Sequence, residues 1–146
     1  MGSRRHAREL AFRVLFQCEA SGDPYGETAE AVIKEVSAEP DTAGYVRRLV
    51  ETFDVNAGAV ERALRSASER WKLERMAATD RGVLKLGAVE LMFFDEVPAK
   101  VVLDEAIEIA RRFGSEESGA FVNGVLDKVA RVYRAKELSG EATEKD

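Results

Sequence analysis

The sequence predicts an all-α protein of about seven helices, and three observations carry that prediction. Apolar residues recur at steps of three and four almost throughout, the spacing that lines one face of a helix. No alternating apolar–polar run marks a strand. The chain has 146 residues, 45% of them hydrophobic, with 3 Pro and 11 Gly, which suits one domain with its own core.

The elements follow in order. Ala7, Leu10, Ala11, Val14, Leu15 and Cys18 form one face of a helix from Ser3 to Ala20, and Ser21-Gly22-Asp23-Pro24 ends it with turn residues. A second helix spans Thr28 to Ser37, with Val32, Ile33 and Val36 inward. Pro40 opens a third, bearing Tyr45, Val46, Leu49, Val50 and Phe53. Asn56 caps a fourth that carries Val60, Ala63, Leu64 and Ala67. Thr79 caps a fifth, where Asp80 complements the helix dipole and Val83, Leu84, Ala88, Leu91 and Met92 face inward.

Pro98 opens the sixth helix, with Val101, Val102, Ala106, Ile109, Ala110 and Phe113 inward, and a left-handed Gly114 ends it. Ser115 or Ser118 begins the last, with Val122, Val125, Leu126, Val129 and Tyr133 inward. The apolar pattern pauses at Trp71–Ala78, a candidate hinge. We therefore expect one helical domain over 1–136 and a disordered polar tail over 137–146. That short tail leads us to expect no attached catalytic domain.

Composition excludes several functions. Cys18 is the single cysteine and His6 the single histidine, so no internal disulfide, cysteine zinc cluster or multi-histidine metal site is expected. No apolar run approaches the roughly 20 residues of a membrane helix. Phosphate-cradling Gly-rich loops and nucleophile elbows are absent from the sequence. Asp104, Glu105 and Glu108 share a helix side but read as a solvated face beside Lys and Arg, not as a metal site. The expectation is a cytoplasmic, non-enzymatic protein without cofactor.

Charge is unevenly placed. The chain is net −5, with 22 Lys+Arg against 27 Asp+Glu. Residues 1–13 carry Arg4, Arg5, Arg8 and Arg13 against Glu9, net +3, and leave the rest at −8. A basic arm on an acidic body fits a local phosphate contact and a separate acidic face for a basic partner. Four arginines at a solvated terminus are equally read as plain helix surface.

On the first helix Arg5, Arg8, Glu9, Phe12 and Phe16 share a flank beside the core stripe. Guanidinium groups for phosphates and aromatic faces for unpaired bases make a single-strand platform. Phe12 reads better as core, and Phe16 is balanced between the two roles. Phe121 lies on the flank of the last helix's stripe. Gly124 inside that helix suggests a close helix approach, and Asn123 a partner for buried backbone groups. The Met92-Phe93-Phe94 stretch reads as core in preference to an exposed self-association patch.

Arg4-Arg5-His6-Ala7-Arg8-Glu9-Leu10-Ala11 and Phe121-Val122-Asn123-Gly124-Val125-Leu126-Asp127-Lys128 closely resemble the NusB family of bacterial antitermination factors. Asp80-Arg81-Gly82-Val83-Leu84-Lys85-Leu86, Val97-Pro98-Ala99-Lys100-Val101 and the stretch from Asp104 to Gly114 agree, in the family's order and spacing. The resemblance implies a fold of two small packed sub-bundles and no enzymatic activity. It also implies binding of single-stranded boxA RNA from ribosomal RNA leader transcripts, together with the small ribosomal protein that acts as NusE. Other Nus factors and RNA polymerase are then indirect partners, a membrane is not one, and some members form homodimers.

By the same resemblance Arg4, Arg5, His6, Arg8, Phe16, Lys85 and Phe121 stand at RNA-binding positions, and Asp80 and Glu117 at or beside the partner interface. His6 replaces a frequent Arg, and Phe16 a frequent Tyr. The alternative function is a helical protein-interaction module without intrinsic RNA binding. A DNA-binding repressor fits poorly, because the last helix offers Asp127 and Lys128 beside Gly124 instead of a basic recognition face.

Overall fold

A computed structural model describes residues 3–68 and 72–144. Its elements are α1 (Ser3–Ser21), α2 (Tyr25–Val36), α3 (Pro40–Ala67), a single 3-10 turn (Leu73–Arg75), α4 (Ala78–Phe93), α5 (Ala99–Phe113), α6 (Ser118–Tyr133) and α7 (Ala135–Glu144). No strand occurs among the described residues. The chain divides into two compact units, 1–57 and 58–146.

In the first unit α1 packs on α2. Leu10, Val14 and Leu15 of α1, Val32 and Ile33 of α2, and Val46, Leu49, Val50 and Phe53 of α3 are buried, the positions the periodicity marks. The Tyr25 ring meets Phe53 edge-on at 5.5 Å. Ser37 ends α2 in the left-handed region (φ 52°), and the Ala38 N–H closes back onto the Ile33 carbonyl at 3.1 Å.

The second unit is built around α4. Gly82 through Leu91 are buried without a break, as befits a helix that is apolar on nearly every side. It packs against α5 and α6, which also pack on each other. Gly87 allows the closest approach: a Cβ there would lie 2.5 Å from Leu126 Cδ1 of α6.

Several sequence expectations are corrected. The third and fourth predicted helices are one kinked helix, α3, with Asn56 off helical geometry at φ −121°, ψ 19°. Its side chain donates back to the Thr52 carbonyl at 2.9 Å instead of capping a new helix. The boundary between units falls beside this kink and not at the predicted hinge, of which Trp71 lies outside the described residues. Helix α4 starts at Ala78, so Thr79 sits inside its first turn and is no cap.

Gly114 has φ −104°, outside the left-handed region. Space is what requires glycine there, because a Cβ would sit 2.5 Å from Ser118 Oγ and 2.8 Å from the Ala110 carbonyl oxygen. Gly124 faces open space and Asn123 is exposed, so neither serves packing. Val101, Phe113 and Tyr133, expected inward, are exposed, the last two at helix ends where the apolar stripe runs past its neighbours. Phe94 is core as expected, while Phe93 is exposed.

Residues 137–144 form most of α7 where the sequence predicts a disordered tail. Composition misses the reason, which is tertiary. Buried Arg134 donates to the carbonyls of Glu90, Leu91 and Phe94 at the end of α4 and pairs with Glu137 at 2.6 Å. Glu137 in turn accepts the Ala99 N–H at 2.8 Å, capping α5 from a distant part of the chain. Burial pushes the Glu137 carboxyl up, but the Ala99 N–H and the Arg134 guanidinium outweigh it and hold it below its ordinary value.

Candidate nucleic-acid interface

The first turns of α1 carry Arg4, Arg5, His6 and Arg8. Arg4, Arg5 and His6 are exposed, whereas Arg8 is only 5% exposed. Both Arg4 and Arg8 lie at the ring of Tyr45 on α3, with Cζ at 3.9 and 5.7 Å from its centroid. Arg13 is tied to Glu35 at 2.7 Å, which takes it out of the free cationic charge. The exposed positive end is therefore shorter than the sequence suggests.

Phe12 is buried and Phe16 is 39% exposed, their centroids 6.0 Å apart at 30°. One turn of helix separates the two, so the inner ring supports the outer one. Of the aromatic pair on this flank, only Phe16 has a face to offer a base.

In the second unit Lys85 is buried, with Nζ 3.8 Å from Glu61 Oε2. Asp80, Glu117 and Phe121 come together around a cleft of 240 Å³, with Arg75, Met76, Ala77, Ser115 and Ser118 completing its wall. Asp80 Oδ1 is buried without a hydrogen-bond partner. Arg81 braces this wall by donating to the carbonyls of Met76 and Leu73.

Tyr45, Arg75 and Met76 escaped the sequence reading. Tyr45 fell on an inward stripe, and nothing local marks a ring that receives arginines from another helix. Met76 lay in the segment where the apolar pattern pauses. The acids considered for a metal are held by neighbours: Asp104 pairs with Lys100 at 3.3 Å and Glu108 with Arg111 at 3.9 Å.

The described residues form an all-helical protein of two units, with an exposed cationic helix end and a cleft lined in part by Asp80 and Glu117. The model of the NusB family matches residues 5–131, and the chain belongs to that family. It is 48% identical over 130 residues to the transcription antitermination protein NusB of Sorangium cellulosum (strain So ce56), covering 89% of this chain and 93% of that one. The solved structure of T. maritima NusB is similar at TM-score 0.86 and 36% identity, over 92% of this chain and 94% of that one. A chain from the crystal structure of antitermination factors NusB and NusE in complex with dsRNA is similar at TM-score 0.84 and 27% identity, over 91% and 99%.

Proposed function

We propose that this antitermination factor binds single-stranded boxA RNA of ribosomal RNA leader transcripts together with the ribosomal protein that acts as NusE. The observation that carries this reading is the exposed cationic end of α1, Arg4-Arg5-His6, with Phe16 exposed further along the same helix. The remainder of the chain is acidic, so this end is where a phosphate backbone is favoured. Arg4, Arg5 and His6 contact phosphates, and Phe16 stacks on a base. Arg8 supports that surface from a buried position, and Lys85 and Phe121 are RNA contacts of the second unit in their own right, one buried and one half-buried.

Asp80 and Glu117 meet a cationic side chain of the protein partner. The place of Asp80 and Glu117 on the wall of one cleft supports this role. The NusB–NusE complex with dsRNA, which this chain resembles, supports the combination of an RNA with a protein partner. The protein acts in the cytoplasm without catalysis of its own, and meets other Nus factors and RNA polymerase through the assembled complex.

Fluorescence anisotropy of labelled boxA RNA, with and without the ribosomal partner, tests the reading. Replacing Arg4 and Arg5 together by Ala weakens RNA binding, and Asp80→Asn weakens partner binding with little change in melting temperature. RNA binding that is the same with and without Arg4 and Arg5, at both low and moderate salt, overturns the RNA role. Intact partner binding in that case makes the chain an interaction module instead.

A further inference from the structure

Two kinds of contact hold arginines on α1. Glu35 holds Arg13 by an ion pair, which cancels its charge locally. The Tyr45 ring holds Arg4 at 3.9 Å and Arg8 at 5.7 Å. An aromatic face attracts a cation through its quadrupole and carries no net charge. A guanidinium seated on a ring is therefore ordered and still cationic.

Tyr45 is itself 5% exposed and set in α3 among Val46, Leu49 and Val50, so the seat is rigid.

We infer that Tyr45 is a positioning residue for the cationic arm: its ring orders Arg4 without neutralising it, so that the arm meets a phosphate with less side-chain freedom left to lose. This inference rests on the RNA reading of the arm. Arginine side chains are rich in rotamers, and ordering them before contact raises affinity by lowering the entropy lost on binding.

The test compares Tyr45→Phe, which keeps the ring, with Tyr45→Leu, which keeps apolar bulk and removes the ring. Circular dichroism and thermal melting establish that each variant is folded. Against single-stranded boxA RNA, Tyr45→Phe binds as the parent, and Tyr45→Leu binds about two- to fivefold more weakly, the worth of an exposed cation–π contact. Its salt slope stays unchanged, because no phosphate contact is lost. In the free protein the Arg4 side-chain protons are shifted upfield by the ring current, and this shift persists in Tyr45→Phe and vanishes in Tyr45→Leu.

A folded Tyr45→Leu that binds RNA as the parent does, while Arg4→Ala with Arg5→Ala weakens binding, overturns the inference and leaves the RNA reading standing. Should the two arginine substitutions also leave binding unchanged, the RNA reading falls and the inference falls with it. Where Tyr45→Leu does not fold, the parent protein decides: Arg4 protons at random-coil positions overturn the inference without any variant.

Discussion

Phe12 and Phe16 show how far helical geometry alone separates roles. The sequence places both on one flank of α1 beside the core stripe, and leaves them distinguishable only by a preference. The structure buries Phe12 and leaves Phe16 39% exposed. Core truncation of phenylalanine costs about 3–5 kcal/mol, while base stacking on an exposed ring is worth about 1–3 kcal/mol. Phe12→Ala therefore lowers the unfolding midpoint sharply, and Phe16→Ala leaves it nearly unchanged and weakens RNA binding. Chemical denaturation and an RNA titration on both variants check this, and a core-sized stability loss for Phe16→Ala removes it from the RNA surface. Arg8 was less legible: charge counting treats all arginines of the arm alike, whereas Arg8 is buried, 5.7 Å from the Tyr45 ring of another helix.

At the scale of elements, the periodicity located most helices, because burying one face leaves a repeat in the sequence. It failed where backbone or tertiary contacts decide. The kink at Asn56 keeps α3 continuous, and the α7 segment is held through Arg134 and Glu137, which composition counts merely as polar residues. Glycines were legible as exceptions but not by cause. Gly124 faces open space in mid-helix, so Gly124→Ala raises stability by about 0.5–1 kcal/mol through helix propensity. Gly87→Ala instead presses on fully buried Leu126 and destabilises by about 1 kcal/mol, since overpacking outweighs the same propensity gain. Thermal melts of the two variants shift in opposite directions, and a shared direction contradicts the packing described for α4 and α6.

The α7 contact also carries a pH dependence. Glu137 is held below its ordinary value of 4.5 when folded, so its contribution is complete above that value. It is lost as pH falls through the lowered folded value. Amide exchange in α7 is then protected at neutral pH and loses protection in acid, whereas Glu137→Gln removes that carboxylate titration. Protection that falls identically with pH in both proteins assigns the acid response to another group.

For the whole molecule, charge asymmetry was the most informative property of the sequence, and the structure sharpens its consequence. The chain is net −5, and its basic residues near the start do not act alike: Arg13 is paired with Glu35, Arg8 is buried, and Arg4 and Arg5 are exposed. Each phosphate neutralised on a single strand contributes about −0.7 to the slope of log affinity against log salt. The two arginine contacts, Arg4 and Arg5, give a slope of about −1.4. Arg4→Ala reduces the slope by about 0.7. A titration of boxA RNA over several salt concentrations reads these values directly. A slope of about −4 or steeper requires more phosphate contacts than the arm provides, and places further cationic residues of the acidic body on the RNA.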